Sequence, residues 1–237
     1  MSGRGWLMDS PNVTFSHTPP SSEHAFCNAP NAIKHRIANV SSKAVYRRKT
    51  KLFVEDQKPL GVFILRTGRA KLTTCSALGK TIIFWLANPG DVLGLNAAVS
   101  GRPYGATAEM MTSGQVDFIP VDALLRLMKA HDDFALAVVE ELSAGYYPLH
   151  DVVRSLGLAT HPVQRLAKLL LSWTSPCTCD HPFKLPLTHQ EIADCIGSTR
   201  ETVSKLFSEL RHKYLLRSER GKLTITNQPE LQRIVHF

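Results

Sequence analysis

The chain has 237 residues, and 43% of them are hydrophobic, so it is long enough for two compact domains and too apolar to be largely disordered. With 28 lysine and arginine residues against 20 acidic ones, its net charge of +8 favours a polyanionic partner such as nucleic acid or an anionic membrane surface. We expect a cytoplasmic protein, because no segment approaches the ~20 apolar residues of a membrane span, the N-terminal residues are polar and charged where a secretory signal would be apolar, and the five cysteines lack disulfide spacing.

The first 40 residues are rich in serine, proline, asparagine and histidine, which predicts an irregular N-terminal tail over residues 1–40. A basic run, Arg47-Arg-Lys-Thr-Lys, follows this tail. Such a run is more often the solvated edge of a strand than a binding patch, and we expect the former.

Residues 41–130 consist mainly of short apolar runs separated by turn signals such as Asn88-Pro-Gly-Asp. Several short strands at this spacing predict an antiparallel sandwich or roll, followed by a helix over Val121–Lys129. The predicted strands are Val62–Arg66, Ala70–Cys75, Thr81–Leu86, Ala106–Met111 and Gln115–Ile119.

A long helix is predicted for residues 131–158, with apolar positions that alternate in spacing between three and four. Two apolar positions in seven form the narrow stripe of a coiled coil, so we expect homodimerisation through it, with packing against the chain's own domain as the alternative. Pro148 removes one backbone hydrogen bond inside the helix and predicts a kink. The predicted stripe is Ala135, Val138, Leu142, Gly145, Leu149, Val152 and Leu156.

Residues 159–237 contain the most informative segment, which runs from Leu187 to Arg211. Thr188 and Ser198 are each followed three residues later by glutamate, a pattern typical of a capping box at a helix start. Gly197 lies between the two boxes and predicts the end of the first helix. Two short helices joined by a glycine turn form a helix-turn-helix.

The second helix of this pair, predicted over residues 199–211, is amphipathic: Val203, Leu206, Phe207 and Leu210 lie on one face. Its opposite face and first turn carry the polar groups that a helix needs to read the major groove of DNA. Arginine binds both acceptors of guanine, and glutamate accepts a hydrogen bond from cytosine. A β-hairpin with a basic tip is predicted after this helix and closes the domain. We expect contact with DNA from Thr188, His189, Ser198, Thr199, Arg200, Glu201, Ser204, Lys205, Arg220 and Lys222.

In these segments the chain resembles the Crp/Fnr (cyclic-AMP receptor / fumarate-nitrate regulator) family of bacterial transcription regulators. The resemblance covers roughly residues 45–237 and is carried by a small set of motifs. They are Leu187-Thr-His-Gln-Glu-Ile-Ala, Arg200-Glu-Thr-Val, Gly61-Val-Phe-Ile-Leu, Gly68-Arg-Ala-Lys-Leu and Pro89-Gly-Asp-Val-Leu-Gly.

The resemblance implies an α+β fold: an N-terminal β-roll, similar to a cyclic-nucleotide-binding jelly roll, a long dimerisation helix and a C-terminal winged helix-turn-helix. It also implies a homodimer on an inverted-repeat promoter site. Arg200 and Glu201 match the family's base-reading pair, and Lys205 matches a further basic contact. The loop around Cys177–Pro182 lies where some relatives touch RNA polymerase.

The roll departs from the family's cyclic-nucleotide binders at two positions. Leu95 lies where those relatives carry a glutamate for the ribose, and Gly105 lies where they carry an arginine for the cyclic phosphate. An anionic phosphate would be poorly stabilised without that cation, so we expect a signal other than cyclic AMP. An effector pocket is predicted around Gly90, Asp91, Leu95, Arg102, Tyr104 and Thr107.

Cofactors are not expected in the roll. An iron–sulfur cluster needs about four cysteine ligands, and the tail and roll supply only Cys27 and Cys75. Haem needs an axial ligand, and no histidine occurs between His35 and His131. No nucleophile–base pair or carboxylate dyad stands out either, so an enzyme is not expected. A regulatory subunit whose roll controls an enzyme or a channel remains the alternative function.

The remaining cysteines lie in the C-terminal part of the chain. Cys177, Cys179 and His181 lie within five residues and can reach one zinc ion, but a fourth ligand is not evident, so a polar surface loop is favoured. Cys195 lies beside the turn of the helix-turn-helix and is expected in its core.

Overall fold

A computed structural model of the chain describes residues 26, 29–158, 161–173, 182–183, 185–219 and 222–235, except the side chains of Tyr147 and Pro148. None of the helices in this part of the chain is both long enough and apolar enough to cross a membrane.

The N-terminal half forms a β-roll of eight strands. They pair antiparallel in two four-stranded sheets, β1-β8-β3-β6 and β2-β7-β4-β5. The strands are β1 (Ser42–Tyr46), β2 (Lys51–Phe53), β3 (Gly61–Leu65), β4 (Ala70–Cys75), β5 (Thr81–Ala87), β6 (Val92–Leu93), β7 (Thr107–Met110) and β8 (Gly114–Pro120).

The five strands predicted from the sequence are all present, and the predicted roll is confirmed. Aromatic and aliphatic side chains fill the space between the sheets, among them Phe63, Leu65 and Met110. Strands β1, β2 and β6 were missed. Strands β2 and β6 have three and two residues, too few to show a period, and β1 is largely exposed and lacks an apolar face.

The prediction of an irregular tail is wrong for part of its length, because helix α1 (Asn31–Val40) precedes the roll. Its Ile33 and Ile37 are buried, and Arg36 forms an ion pair with Asp133 at 2.6 Å. Two isoleucines four residues apart among polar residues are too weak a pattern to reveal a helix whose stability comes from tertiary packing.

Helix α2 (Leu95–Ser100) lies within the roll, between β6 and β7, and two helices, α3 (Val121–Ala130) and α4 (Asp132–Leu158), connect the roll to the C-terminal domain. The helix predicted over Val121–Lys129 corresponds to α3, and α4 covers the predicted long helix except for its first residue. Helix α4 continues without a break through Pro148. The side chain of Pro148 is not among those that the structure describes, so the predicted kink stays a prediction.

Much of the stripe that was predicted to form the dimer seam packs against the chain itself. Val138 is 0% exposed and Val152 4% exposed, so neither can touch a partner. Trp85 lies over Gly145, since a Cβ at this glycine would be 3.2 Å from the indole ring. The prediction that this stripe pairs with a second copy is therefore wrong at Val138 and Val152, because both side chains are already buried within the chain itself.

The C-terminal domain consists of α5 (Pro162–Ser172), α6 (His189–Ile196), α7 (Arg200–His212), the hairpin β9 (Leu216–Glu219) and β10 (Lys222–Ile225), and α8 (Gln228–Val235). Helices α5, α6 and α7 and the hairpin share one apolar core, and Cys195 lies in that core as predicted. The prediction that the hairpin closes the domain is wrong: α8 follows and buries Leu231 against this core. We refer to this domain as the head.

Candidate nucleic-acid interface

Helix α6 begins at the capping box predicted from the sequence. Thr188 Oγ1 accepts a hydrogen bond from Glu191 N at 3.3 Å, and Glu191 Oε2 accepts one from Thr188 N at 3.0 Å. Both bonds satisfy backbone donors that a helix start otherwise leaves free. The N-terminus of α6 is therefore fixed and carries an exposed Thr188.

The turn after α6 differs in one respect from the prediction. Gly197 adopts a left-handed conformation, as expected, and Ser198 N donates to Ala193 O at 2.9 Å. The second capping box is wrong, because Thr199 and not Ser198 caps α7, with Thr199 Oγ1 accepting from Thr202 N at 3.2 Å. Since Ser198 closes the preceding helix, α7 begins one residue later and spans residues 200–212.

Replacing Gly197 by alanine is expected to destabilise the head by about 1–2 kcal/mol, because an L side chain is disfavoured in the left-handed region. Its φ is +63°, and a Cβ would also lie 3.2 Å from a methyl group of Leu156. Chemical denaturation followed by circular dichroism measures the effect.

Two variants separate the causes of this loss. Gly79 has a φ of +77° with open space around its Cβ position, so Gly79→Ala carries only the backbone cost. Gly197→Asn is expected to retain more stability than Gly197→Ala, because asparagine tolerates this conformation. An unchanged stability in Gly197→Ala would contradict the role of the turn.

The N-terminal turn of α7 is exposed beside the start of α6. Arg200, Glu201 and Lys205 are all exposed, whereas Val203, Phe207 and Leu210 are buried in the head. Leu206, predicted with the buried set, is only partly buried. The first turn of a helix carries the positive end of its dipole and free backbone N–H groups, so the exposed start of α7 is suited to phosphate oxygens.

His189 and Ser204 contact each other within this face. His189 Nδ1 lies 3.0 Å from Ser204 Oγ, and its ring stacks on Phe207 with centroids 4.9 Å apart. Burial, together with repulsion from Arg200 and Arg211, lowers the pKa of His189, so the neutral ring is favoured at neutral pH. Both side chains therefore help to hold α6 against α7, in addition to the contact with DNA that is expected for them.

The hairpin after α7 carries Lys222, which is exposed at the start of β10 and pairs in register with Glu219. Arg220, predicted at the tip, lies outside the described residues. Phe183 adds an isolated bridge to Leu223, so the strand register of the hairpin is fixed on a second side.

A contact between the roll and the head was not predicted from the sequence. Lys71 Nζ on β4 lies 3.1 Å from Glu191 Oε1 and 3.4 Å from Glu109 Oε1, so the glutamate that completes the capping box of α6 also pairs with the roll. Ile83 of β5 packs into the core of the head. Only folding brings Lys71 and Glu191 together, since 120 positions separate them.

The pKa values of this pair point to a contact that persists at neutral pH. Burial alone would lower the pKa of Lys71, but hydrogen bonding and attraction from Glu191, with attraction from Glu109, outweigh it and raise that pKa. Burial would raise the pKa of Glu191, but bonds from Thr188 and Lys71 lower it overall. The contact therefore loses strength only when acid protonates Glu191 or strong alkali deprotonates Lys71.

A cleft of about 1060 Å³ lies between the roll and helix α4. Aromatic side chains line it, including Phe84, Trp85 and Tyr146. Among the described residues that line the cleft, Arg102 is the single cation and Glu141 the single anion. The cleft therefore suits an apolar or aromatic molecule better than a phosphate.

The predicted effector residues only partly line this cleft. Leu95, Arg102 and Tyr104 do, but Tyr104 is buried, and its hydroxyl donates to Gly61 O at 2.6 Å. The three other predicted residues form hydrogen bonds within the roll. Gly90 N donates to Leu65 O at 2.7 Å, and Asp91 Oδ2 accepts from Asn88 N at 2.7 Å. Thr107 Oγ1 accepts from Glu55 N at 3.0 Å.

Helix α4 also carries an exposed stripe, offset by one residue from the predicted one. Its spacing again alternates between three and four, which is the spacing of a coiled-coil seam. Leu136 is 60% exposed, Val139 57%, Tyr146 63% and Val153 62%. We call this set the exposed seam, and it consists of Leu136, Val139, Ser143, Tyr146, His150, Val153 and Gly157.

In the part of the chain that the structure describes, no three histidine, cysteine or acidic side chains are grouped to hold a metal ion. Cys177, Cys179 and His181 lie outside that part, as does most of the loop that the resemblance relates to RNA polymerase.

Two family models match this chain and together span more than half of it. Residues 43–131 match the cyclic nucleotide-binding domain, and residues 164–234 match the Crp-like helix-turn-helix domain. The chain is 27% identical over 194 residues to the global nitrogen regulator of Nostoc sp., which covers 79% of this chain and 86% of that protein. It is also 27% identical over 175 residues to the transcriptional activatory protein AadR of Rhodopseudomonas palustris, covering 72% of each.

Two solved structures share the fold. FixK2 from Bradyrhizobium japonicum superposes with a TM-score of 0.70 at 23% identity and covers 82% of this chain and 97% of its own. The c-di-GMP responsive global regulator CLP from Xanthomonas campestris superposes with a TM-score of 0.73 at 15% identity, covering 84% and 100%.

Proposed function

Because the chain belongs to the Crp/Fnr family of DNA-binding transcription regulators, we propose that it binds an inverted-repeat promoter site as a cytoplasmic homodimer. Helix α7 would enter the major groove of each half-site. The observation that carries the proposal is the joint exposure of Arg200 and Glu201 at the N-terminus of a firmly capped α7.

The chemistry of this turn supports base reading. An exposed arginine in the first turn of a recognition helix can make two hydrogen bonds to guanine, and the adjacent glutamate can accept one from cytosine. Thr188, Ser198 and Thr199 surround these residues and offer hydroxyl groups to phosphates. Lys205, one turn further along α7, and Lys222 on the hairpin add positive charge to the same domain.

The dimer is proposed to form through the exposed seam of α4. Four large apolar or aromatic side chains on one stripe of a 27-residue helix form a surface that a second copy would cover. A dimer also matches the two-fold symmetry of an inverted repeat, whose half-sites lie about one helical turn apart.

The signal that the roll senses is proposed to differ from cyclic AMP. The described residues that line the cleft include one arginine, which is exposed, and one buried carboxylate, so a cyclic phosphate would lack compensating charge. Haem and an iron–sulfur cluster are likewise not proposed, on the ligand counts given above. A contact with RNA polymerase through the loop around Cys177–Pro182 belongs to the same proposal and rests on the family resemblance.

Selection of binding sites from random duplex DNA tests the function directly. The full-length protein is mixed with the pool at two salt concentrations, and the retained fraction is sequenced. Enrichment of a two-fold repeat with half-sites about 10 base pairs apart is expected. Binding that is sensitive to salt but blind to sequence would overturn the proposal and leave only general attraction to a polyanion.

A further inference from the structure

The contact between His189 and Ser204 joins the two helices of the helix-turn-helix. His189 is the first residue of α6, and Ser204 lies one turn beyond Arg200 on α7, partly exposed on the same side of that helix. His189 Nδ1 is 3.0 Å from Ser204 Oγ, which is a hydrogen-bond distance, although 15 positions separate the two residues. A histidine of one helix therefore bonds to a hydroxyl group on the side of the other helix that carries Arg200.

The packing of the imidazole ring fixes which nitrogen meets the serine. The ring lies parallel to that of Phe207, with 4° between the planes and 4.9 Å between the centroids. Phe207 is 2% exposed, so the stack rests on a side chain held in the core of the head. Within the part of the chain that the structure describes, no group bonds to Nε2, the second nitrogen of the ring.

The protonation of the ring determines what Ser204 can offer to a ligand. Burial and repulsion from Arg200 and Arg211 lower the pKa of His189, which favours the neutral ring at neutral pH. In a neutral imidazole one nitrogen donates a hydrogen bond and the other accepts one, and the partner of one nitrogen sets the role of the other. The partner of Nε2 therefore decides whether Nδ1 donates to Ser204 or accepts from it.

DNA supplies a partner for Nε2. In a helix-turn-helix the first helix crosses the DNA backbone, and His189 occupies the first position of that helix. A phosphate oxygen accepts hydrogen bonds, so a phosphate beside Nε2 holds the ring hydrogen there. Nδ1 then has a free lone pair and accepts the hydroxyl hydrogen of Ser204. The outward side of Ser204 Oγ is left with lone pairs alone.

We propose that His189 is a positioning residue that fixes Ser204 as a hydrogen-bond acceptor, so that α7 selects a base whose exocyclic amine faces Ser204 in the major groove. The bases with such an amine are adenine, which presents N6, and cytosine, which presents N4. Without His189, the hydroxyl group rotates and donates to a base oxygen as readily as it accepts from an amine. This inference rests on the function proposed above.

A purely structural role for His189 accounts for less of the geometry. The stack on Phe207 requires an aromatic ring but no nitrogen, and the cap of α6 is formed by Thr188 and Glu191. Neither role requires Nδ1 to lie at hydrogen-bond distance from Ser204. The contact between the two polar groups is explained when the histidine acts on the serine.

The test begins by finding the base pair that faces Ser204. Site selection from random duplex DNA is repeated with Ser204→Ala, and the facing pair is the position at which this variant relaxes the preference of the wild type. Ser208→Ala is the matched control, because Ser208 lies one turn further along α7 and bonds to Arg211 rather than to a histidine. This control should keep every preference of the wild type.

Two analogue duplexes then show whether Ser204 accepts or donates. One lacks the exocyclic amine of the facing pair, on adenine or cytosine, and the other lacks the carbonyl oxygen that pairs with this amine, on thymine or guanine. Both analogues lose the same Watson–Crick bond, so that cost cancels in the comparison. For the wild type at neutral pH, loss of the amine in both half-sites should weaken binding roughly 5-fold to 100-fold more than loss of the oxygen.

His189→Phe keeps an aromatic ring on Phe207 and removes both nitrogens. The two analogues should then bind this variant about equally well, and its affinity for every duplex should fall by a common factor because the phosphate contact is lost. The double variant His189→Phe, Ser204→Ala should discriminate between the analogues no less than Ser204→Ala alone, since the histidine acts through the serine. Circular dichroism verifies that the variants are folded. The comparison in the wild type requires no substitution and tests the proposal independently of the fold of His189→Phe.

The proposal is overturned if the wild type tolerates loss of the amine as well as loss of the oxygen, or if His189→Phe keeps the wild-type difference between the analogues. It is also overturned if Ser204→Ala relaxes no position, or none beyond those that Ser208→Ala relaxes. A wild-type protein that selects no repeat at all would instead reject the proposed function, and this inference with it.

Discussion

The variant Arg200→Ala is expected to remove most of the protein's preference for the proposed inverted repeat over unrelated DNA. A bidentate arginine–guanine contact discriminates by about 1–3 kcal/mol, so two half-sites lose about 2–6 kcal/mol, or roughly 30-fold to 10⁴-fold in affinity. Arg200 is exposed and Thr199 supplies the cap of α7, so folding should not change. Competition between the repeat and unrelated duplex DNA measures the change in specificity.

Arg211→Ala is the matched control for this variant. Arg211 is an exposed arginine in the last turn of α7, where it donates to Ser208 Oγ at 3.1 Å. Its loss removes the same charge from the same helix, but at the end away from the capped N-terminus. Equal losses of specificity in both variants would contradict base reading by Arg200 and would indicate a general electrostatic effect.

The double variant Val139→Glu, Val153→Glu, which places two glutamates in the exposed seam, is expected to convert the proposed dimer to monomers. Each buried and unpaired charge costs several kcal/mol, so the dissociation constant of the dimer should rise by at least about 1,000-fold. Sedimentation equilibrium measures the change. Affinity for the repeat should fall by about 100-fold or more, because the second head no longer binds at a high effective concentration.

The same substitution outside the seam provides the control. Val45 and Leu78 are 77% and 97% exposed on the roll, so Val45→Glu with Leu78→Glu adds equal charge without touching α4. This control should remain dimeric. A dimer that persists in the seam variant, or dissociates equally in the control, would place the interface elsewhere.

The sequence predicts the chain's architecture well where local patterns are strong. The strands Ala70–Cys75 and Thr81–Ala87, the long helix and the glycine turn at Gly197 follow from periodicity and capping chemistry. The box at Thr188 is predicted correctly for the same reason. At Ser198 the local pattern fits two alternative caps, and only the folded structure, in which Thr199 Oγ1 accepts from Thr202 N, shows that Thr199 is used.

The long helix shows the limit of periodicity. Two stripes with the same spacing run side by side on α4, and an apolar count favours the one that contains Val138 and Val152. That stripe is more apolar because the roll packs on it, which only tertiary structure can show. The roll–head contact of Lys71 was missed for a related reason, since isolated charges carry no signal about distant partners.

The pairing of Glu191 with both Thr188 and Lys71 has a consequence for how signals travel through the molecule. One carboxylate bonds to the start of a helix in the DNA-binding head and to a sheet of the roll. A rotation of the head that separates Glu191 from Lys71 would leave Lys71, 18% exposed, with Glu109 alone. By thermodynamic reciprocity, a sensor ligand that changes DNA affinity through this contact has its own affinity changed by DNA by the same factor. Occupied promoters would then act as effectors of the sensor, and promoters of different sequence would set different ligand thresholds for the same protein.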